Sequence, residues 1–207
     1  MIAKLKEVWF DGRNIPLERV DIWSYINNSP ISKVLVTKEQ MQKGHYPLKT
    51  QFIVQTGDEN DLKDLRSNTV VMSENLDLLK AAKLQGMKTC AGFHVKSREE
   101  LESAWQDGAR LDYVLVDFDL PTNIPLELII ARLQQSPTVL LKQVSSFDDA
   151  EVAFGVMERG SDGVLLSTSE LSEIVKTVLY LEKESTQKIE LQPLTVSDVL
   201  HIGMGMR

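Results

Sequence analysis

Charged side chains follow several apolar runs of the sequence at the point where a strand would end. Asp11, Lys96, Asp117 and Lys142 each come at the end of such a run, and His94 lies just before Lys96. A lysine among apolar walls loses basicity and can act as a base or form a Schiff base with a carbonyl. A nearby carboxylate can shuttle protons. We therefore predict acid–base chemistry with Lys142, Asp117 and Lys96 as catalytic residues.

Two residues after the last apolar run suggest a role in substrate binding. Ser167-Thr168-Ser169-Glu170 has the pattern of a capping box that opens a helix. Barrels often bind phosphate with the loop after strand eight and a helix N-terminus, although a simple helix cap is the alternative. We expect Ser167 and Thr168, together with Asp11 and His94, to contact the substrate.

Eight apolar runs alternate with helix-like segments, and these elements must position the charged residues. Runs rich in Val, Ile, Leu and Phe are typical of parallel strands buried on both faces. The alternation predicts an α/β domain over residues 1–184, a closed (β/α)8 TIM-like barrel, with an open doubly wound sheet as the alternative. The runs are Lys6–Phe10, Lys33–Val36, Gln51–Val54, Thr69–Met72, Lys88–Val95, Tyr113–Val116, Thr138–Leu141 and Gly163–Leu166.

Periodic segments between the runs are predicted helices, and Gly86, Gly108 and Gly160 mark where three of them end. After these units, from Ser185 onward, the alternation of apolar runs and helix-like segments ends. We expect residues 185–207 to contain a linker and a short C-terminal β appendage, the start of a truncated region. The predicted helices are 17–26, 38–43, 59–66, 76–84, 97–109, 124–133, 147–157 and 171–181.

Strand alternation predicts which side chains face the helices and which face the barrel interior. It places Asp11, Lys96, Asp117 and Lys142 at one C-terminal mouth, with His94 one layer deeper. Neighbouring strands lie about 4.8 Å apart, so Lys142 and Asp117 should meet directly. The predicted helix-facing residues are Phe93, Val95, Val116, Val139 and Leu141, and the predicted interior residues are Leu115 and Leu140.

The composition limits the classes of partner. The chain has 30 acidic and 23 basic residues, a net charge of −7, which argues against binding nucleic acid or an acidic membrane surface. No apolar run approaches the roughly 20 residues of a membrane helix, and we expect a cytoplasmic protein.

The single cysteine, Cys90, lies about 13 Å from His94 along an extended strand, too far to share a metal ion. No metal is expected.

Several segments carry motifs of a known family. They are Asp112–Asp117, Asn123–Gln134, Asp148–Phe154, Glu158–Leu166 and Val199–Arg207. Together they resemble the archaeal-type 3-dehydroquinate synthase, also called 3-dehydroquinate synthase II. Val95-Lys96-Ser97 is similar to the family's strand followed by I-K-S, and the last segment to its V-G-M-G-D-R. Met206 stands where the family has Asp, and the family continues into a β-rich region that this sequence lacks.

The resemblance implies NAD-dependent oxidative deamination and cyclisation of 2-amino-3,7-dideoxy-D-threo-hept-6-ulosonate to 3-dehydroquinate in aromatic amino-acid biosynthesis. NAD is implied by the resemblance alone. Two alternatives stay open at this point: a non-catalytic barrel that acts as a partner subunit, and a small lyase or aldolase that acts on a phosphorylated sugar. The sequence leaves open whether the chain forms a homo-oligomer.

Overall fold

The computed structural model describes residues 6–66, 68–119, 124–157, 160–185 and 198. Eight parallel strands form a closed barrel in sequence order, with β1 paired to β8. The predicted (β/α)8 barrel is confirmed, and the open sheet is excluded. The strands are β1 Glu7–Asp11, β2 Lys33–Val36, β3 Gln51–Gln55, β4 Val70–Ser73, β5 Lys88–Val95, β6 Tyr113–Phe118, β7 Val139–Val144 and β8 Gly163–Leu166.

Seven α-helices lie among the described residues, outside the barrel: α1 Val20–Asn28, α2 Lys38–Lys43, α3 Leu76–Leu84, α4 Arg98–Gln106, α5 Ile124–Leu133, α6 Phe147–Gly155 and α7 Leu171–Ser185. Only a 3-10 helix, Glu59–Asp64, connects β3 to β4. A second 3-10 helix, Gly108–Arg110, follows α4. The short connection after β3 explains how eight units fit into so few residues.

Local sequence signals start and end these helices. The Ser97 hydroxyl accepts a hydrogen bond from the Glu100 amide, and the Glu100 carboxylate accepts one from the Ser97 amide, so the two residues form a capping box at the start of α4. Gly160 follows α6 with a positive φ of 63°, a conformation that favours glycine. None of the helices in the described part of the chain is long and apolar enough to span a bilayer. The predicted β appendage after Ser185 lies outside the described residues, apart from Asp198.

Side chains from all eight strands fill the barrel interior. Trp9 on β1 is fully buried and meets the Tyr113 ring on β6 edge-on, with 4.9 Å between the ring centroids. Because these side chains are apolar and interdigitate, the barrel has a packed core rather than a channel. The buried members are Trp9, Leu35, Ile53, Val70, Met72, Cys90, Tyr113, Leu115, Leu141 and Leu165.

The alternation predicted for β5 and β6 is confirmed, but that for β7 is wrong. Leu141 lies in the interior, paired with Leu115, and Leu140 packs towards the helices. Val139 likewise packs against the interior cluster. Lys142 therefore lies on the helix-facing side of β7. The apolar run of β7 does not indicate which of its side chains face inward, because a strand that is buried on both faces has no polar side.

An ion pair closes the N-terminal end of the barrel. The Lys33 ammonium lies 2.5 Å from a Glu7 carboxylate oxygen, which also accepts a hydrogen bond from the Trp9 indole at 3.1 Å. Lys33 also lies over the Tyr113 ring, 5.1 Å from its centroid. Both charged side chains are mostly shielded from water, so the pair is fixed among aromatic neighbours.

We expect Gly160→Ala to destabilise the fold by more than about 1 kcal/mol, because its φ is positive and a Cβ would lie 2.0 Å from the Phe154 carbonyl oxygen. Gly155→Ala is the matched control, since a Cβ there meets nothing within 4 Å. It should leave stability unchanged or raise it. Urea denaturation followed by circular dichroism measures both. Equal stability of the two variants would contradict the assignment of strain to Gly160.

Candidate active site

A layer of polar side chains lies at the C-terminal mouth, directly above the apolar interior. Each member comes two residues after an interior position of its strand, so alternation turns it towards the barrel axis. Active sites of this fold gather at the same end of the strands. The members are Asp11, Gln55, His94, Asp117, Gln143 and Ser167.

Asp11 anchors an arginine that the sequence analysis missed. Its buried carboxylate accepts two hydrogen bonds from the Arg13 guanidinium, at 2.9 and 2.7 Å. Ser167 donates a third to Asp11 at 2.9 Å, and Arg13 also donates to Gln55. The hydrogen bond with Asp11 raises the pKa of Arg13. With 27% of its side chain exposed, Arg13 is a fixed cation that can still reach a ligand.

Gly12 explains how the chain places Arg13 over the mouth. The strand ends at Asp11, and the Gly12 amide donates to the Leu35 carbonyl at 2.8 Å. A Cβ on Gly12 would lie 2.4 Å from the Trp23 ring, so the turn passes this ring only as glycine. The sequence contains a signal for this arginine. Arg13 comes two residues after the inward-facing Asp11, so the side-chain alternation of β1, continued past the end of the strand, turns Arg13 towards the barrel axis as well.

His94 lies between two carboxylates. Its Nδ1 is 3.0 Å from Asp117 on β6, and its Nε2 is 2.8 Å from Asp119, which follows β6. In the protonated form both ring nitrogens can donate, so the group can carry a proton. Lys96 is more peripheral, with its amine 4.0 Å from Asp119. His94 pairs in register with Asp117, so it lies in the same layer, not one layer deeper as predicted.

A cavity of about 440 Å³ opens beside this group, along the ends of β6, β7 and β8. Lys142, Asp117 and Ser167 all line it. The predicted direct meeting of Lys142 and Asp117 is not found among the described contacts, and the two residues share only the lining of this cavity. Lys142 reaches the cavity at the rim, because its position on β7 turns it away from the axis. The remaining polar residues that line it are Asp119, Gln143, Ser145 and Asp149.

The predicted cap at Ser167 is wrong. The Ser167 hydroxyl donates to Asp11 instead, and the Thr168 hydroxyl accepts from the Glu170 amide at 3.2 Å. Helix α7 begins only at Leu171. Ser167 therefore belongs to the mouth, while Thr168 forms a local turn and is absent from the lining of the cavity. The Ser167 hydroxyl bonds to Asp11, which is 156 residues away in the sequence, instead of to the start of α7.

The chain is similar in sequence to several curated 3-dehydroquinate synthases. A family model described as the 3-dehydroquinate synthase II N-terminal domain matches residues 6–181. A 3-dehydroquinate synthase of Methanocaldococcus jannaschii is 34% identical over 138 residues, which are 65% of this chain and 38% of that protein. One of Methanococcus maripaludis strain C7 is 28% identical over 195 residues, 92% of this chain and 52% of that protein. The matches thus span about two fifths to one half of these curated relatives.

Solved structures show the same fold at low identity. A phosphoribosyl anthranilate isomerase from Thermotoga maritima has a TM-score of 0.63 at 11% identity, covering 86% of this chain and 99% of that one. A 3-dehydroquinate dehydratase from Aquifex aeolicus has a TM-score of 0.59 at 10% identity, covering 88% and 100%. These likenesses support the barrel alone. The family is fixed by the sequence model over residues 6–181, and the chain belongs to the 3-dehydroquinate synthase II family.

Proposed function

We propose that the chain forms the substrate-binding barrel of a 3-dehydroquinate synthase II type of enzyme. The proposed substrate is 2-amino-3,7-dideoxy-D-threo-hept-6-ulosonate, which is oxidatively deaminated and cyclised to 3-dehydroquinate. One combination of residues supports this proposal. The C-terminal mouth carries a fixed arginine, Arg13, after β1 and an acid–base group, His94, Asp117 and Asp119, at the ends of β5 and β6, in a chain of this family.

The charges of the mouth complement a 2-amino acid. The substrate carries a carboxylate and an ammonium group on one carbon. Arg13 can bind the carboxylate, because a guanidinium matches it in charge and geometry. Asp117, Asp119 and Asp149 line the cavity and can attract the ammonium group. Ser167 joins these two regions, since it lines the cavity and also donates to Asp11 behind Arg13.

The proposed reaction needs three proton transfers that these residues can perform. The ammonium group must lose a proton before its carbon is oxidised. Cyclisation requires removal of a proton from the carbon beside the ketone, followed by protonation of the new alkoxide. His94 with its two carboxylates can accept and return a proton. Lys142 on the neighbouring strand β7 is a second base or acid in the same cavity, and a lysine can also form a Schiff base with the ketone.

NAD is proposed as the oxidant on the family resemblance alone. The residues that line the mouth cavity do not fit its pyrophosphate: Asp117, Asp119 and Asp149 oppose the single cation Lys142. The Gly203-Met204-Gly205 segment lies outside the described residues. We therefore assign no residue to the cofactor, and the proton transfers above do not depend on it.

Titration calorimetry on the 207-residue chain tests the cofactor directly. If the barrel lacks a complete dinucleotide site, NAD should bind at least about tenfold more weakly than the substrate. The titration is repeated with substrate already bound, because a ligand can complete a site. Binding of NAD as tight as that of the substrate would contradict the misfit at the mouth.

Arg13→Gln should weaken substrate binding by about 10- to 100-fold, because a hydrogen-bonded charged contact contributes about 1.5–3 kcal/mol. Calorimetry without cofactor measures this. The control is Arg98→Gln on α4, whose side chain is 85% exposed and pairs only with Glu102 among the described residues. The control should bind like the parent chain. Unchanged binding by Arg13→Gln would remove the arginine from the proposed site.

Asp117→Asn and Lys142→Ala should each slow substrate enolisation by about 100-fold, the usual contribution of a positioned acid or base. Proton NMR in D2O measures exchange of the methyl hydrogens beside the ketone, and it needs no cofactor. The controls are Asp77→Asn and Lys63→Ala, exposed residues that do not line the mouth cavity. Parent-like exchange in Asp117→Asn would refute the acid–base role. Parent-like exchange in Lys142→Ala would leave that lysine outside catalysis.

A further inference from the structure

A second cavity lies at the opposite, N-terminal end of the barrel. Its volume is about 290 Å³, and it opens where β5, β6 and β7 begin. Lys88, Tyr113 and Val139 come from those strand ends and face the barrel axis. Lys83 on α3 and Arg110 on the second 3-10 helix form its rim. The apolar interior separates this cavity from the C-terminal mouth.

Cations dominate this cavity in a chain with a net charge of −7. Lys83, Lys88 and Arg110 line it, against one carboxylate, Asp112. Lys88 and Arg110 have no acidic partner among the residues that the structure describes. One oxygen of Asp112 already accepts two hydrogen bonds from Thr89, each 3.0 Å long. Gathered like charges repel one another, so an anion that binds among them is favoured.

The cations are held near the cavity by the local structure. The Lys83 ammonium donates to the Arg110 carbonyl at 2.7 Å, which fastens α3 to the turn before β6. This contact uses one of the three donors of Lys83 and leaves two for a ligand. Arg110 ends the 3-10 helix and lines the cavity, and no ion pair joins its side chain to a carboxylate in the described structure.

The rest of the wall is apolar and rigid. The Tyr113 ring lies between Trp9, at a centroid distance of 4.9 Å, and the Lys33 ammonium, at 5.1 Å. Leu111 and Val139 complete this side of the cavity. A planar ring or short hydrocarbon can therefore pack against a surface that is already ordered. This apolar side of the cavity provides no hydrogen bonds or opposite charges for a ligand that is charged over its whole surface, such as phosphate.

We propose that the N-terminal cavity binds a small organic monocarboxylate with an aromatic or apolar body. The carboxylate would lie among Lys83, Lys88 and Arg110, and the body against Pro137 and Val139 beside Tyr113. The volume is at the lower end of the range for ligand pockets, which is about 300–1,000 Å³ and suits a single ring. This site uses no residue of the C-terminal mouth, so it does not depend on the proposed function.

Benzoate is the probe, and titration by NMR or calorimetry on the 207-residue chain measures its binding. We expect a dissociation constant of about 1 mM or lower, as the size of the ligand permits. Benzamide, which keeps the ring but not the charge, should bind at least tenfold more weakly. Inorganic phosphate, which has charge but no ring, should also bind at least tenfold more weakly. Phosphate binding as tight as benzoate binding would overturn the choice of ligand.

The double variant Lys88→Gln/Arg110→Gln should weaken benzoate binding at least tenfold. The matched control is Lys63→Gln, an exposed lysine on the first 3-10 helix. Thermal melting confirms that both variants remain folded, which is expected for exposed positions. Arg13→Gln should leave benzoate binding unchanged, since Arg13 lies at the other end of the barrel. Benzoate binding that is absent from the parent chain, retained by the double variant or lost in Arg13→Gln would overturn the site.

Discussion

Closure of the sheet between β1 and β8 is the constraint on which the rest of the structure depends. Glu7 pairs with Gly163 at this seam, and a Cβ on Gly163 would lie 2.6 Å from the Glu7 carbonyl oxygen. Glycine therefore allows the first and last strands to approach. Once the ring is closed, alternate side chains of every strand must point inward, and their apolar members form the interior core. The same closure leaves none of these eight strands with a free edge for pairing with another chain.

The seam also assembles part of the candidate active site. Asp11 ends β1 and Ser167 follows β8, so closure brings together residues that are 156 positions apart. Ser167 and the two guanidinium contacts orient the Asp11 carboxylate, and Asp11 in turn fixes Arg13. On the other side of the mouth, β5 and β6 bring His94 to Asp117. The site thus joins a rigid cation to a more exposed proton carrier, a division that suits binding at one end of a substrate and chemistry at the other.

The two ends of the barrel differ in charge although they share one core. Carboxylates outnumber the single lysine in the C-terminal cavity, while lysines and an arginine surround the N-terminal one. Tyr113 and Trp9 lie between the two ends and connect the Glu7–Lys33 pair to the apolar interior. Because this interior is packed, the two cavities are separate, and ligands proposed for the two ends would not compete directly. The order of the helices and strands is common to all barrels of this fold, whereas the charges at the two ends are determined by the particular residues of this sequence.

The sequence by itself determined the eight strands and most of the helices between them, because apolar runs and helical periodicity are local signals; the segment after β3, predicted as a helix over 59–66, forms only a 3-10 helix. It also determined that Asp117 and His94 face the axis, since β5 and β6 carry polar residues on that face towards their ends. Only the tertiary structure decided which side chains of β7 face the barrel interior. Leu140 and Leu141 are both apolar and both buried, so the sequence does not show which of them points inward. It alone revealed the partners of Arg13 and Ser167. Contacts between distant residues depend on strand register and closure, and these are set by packing of the whole barrel rather than by any local pattern.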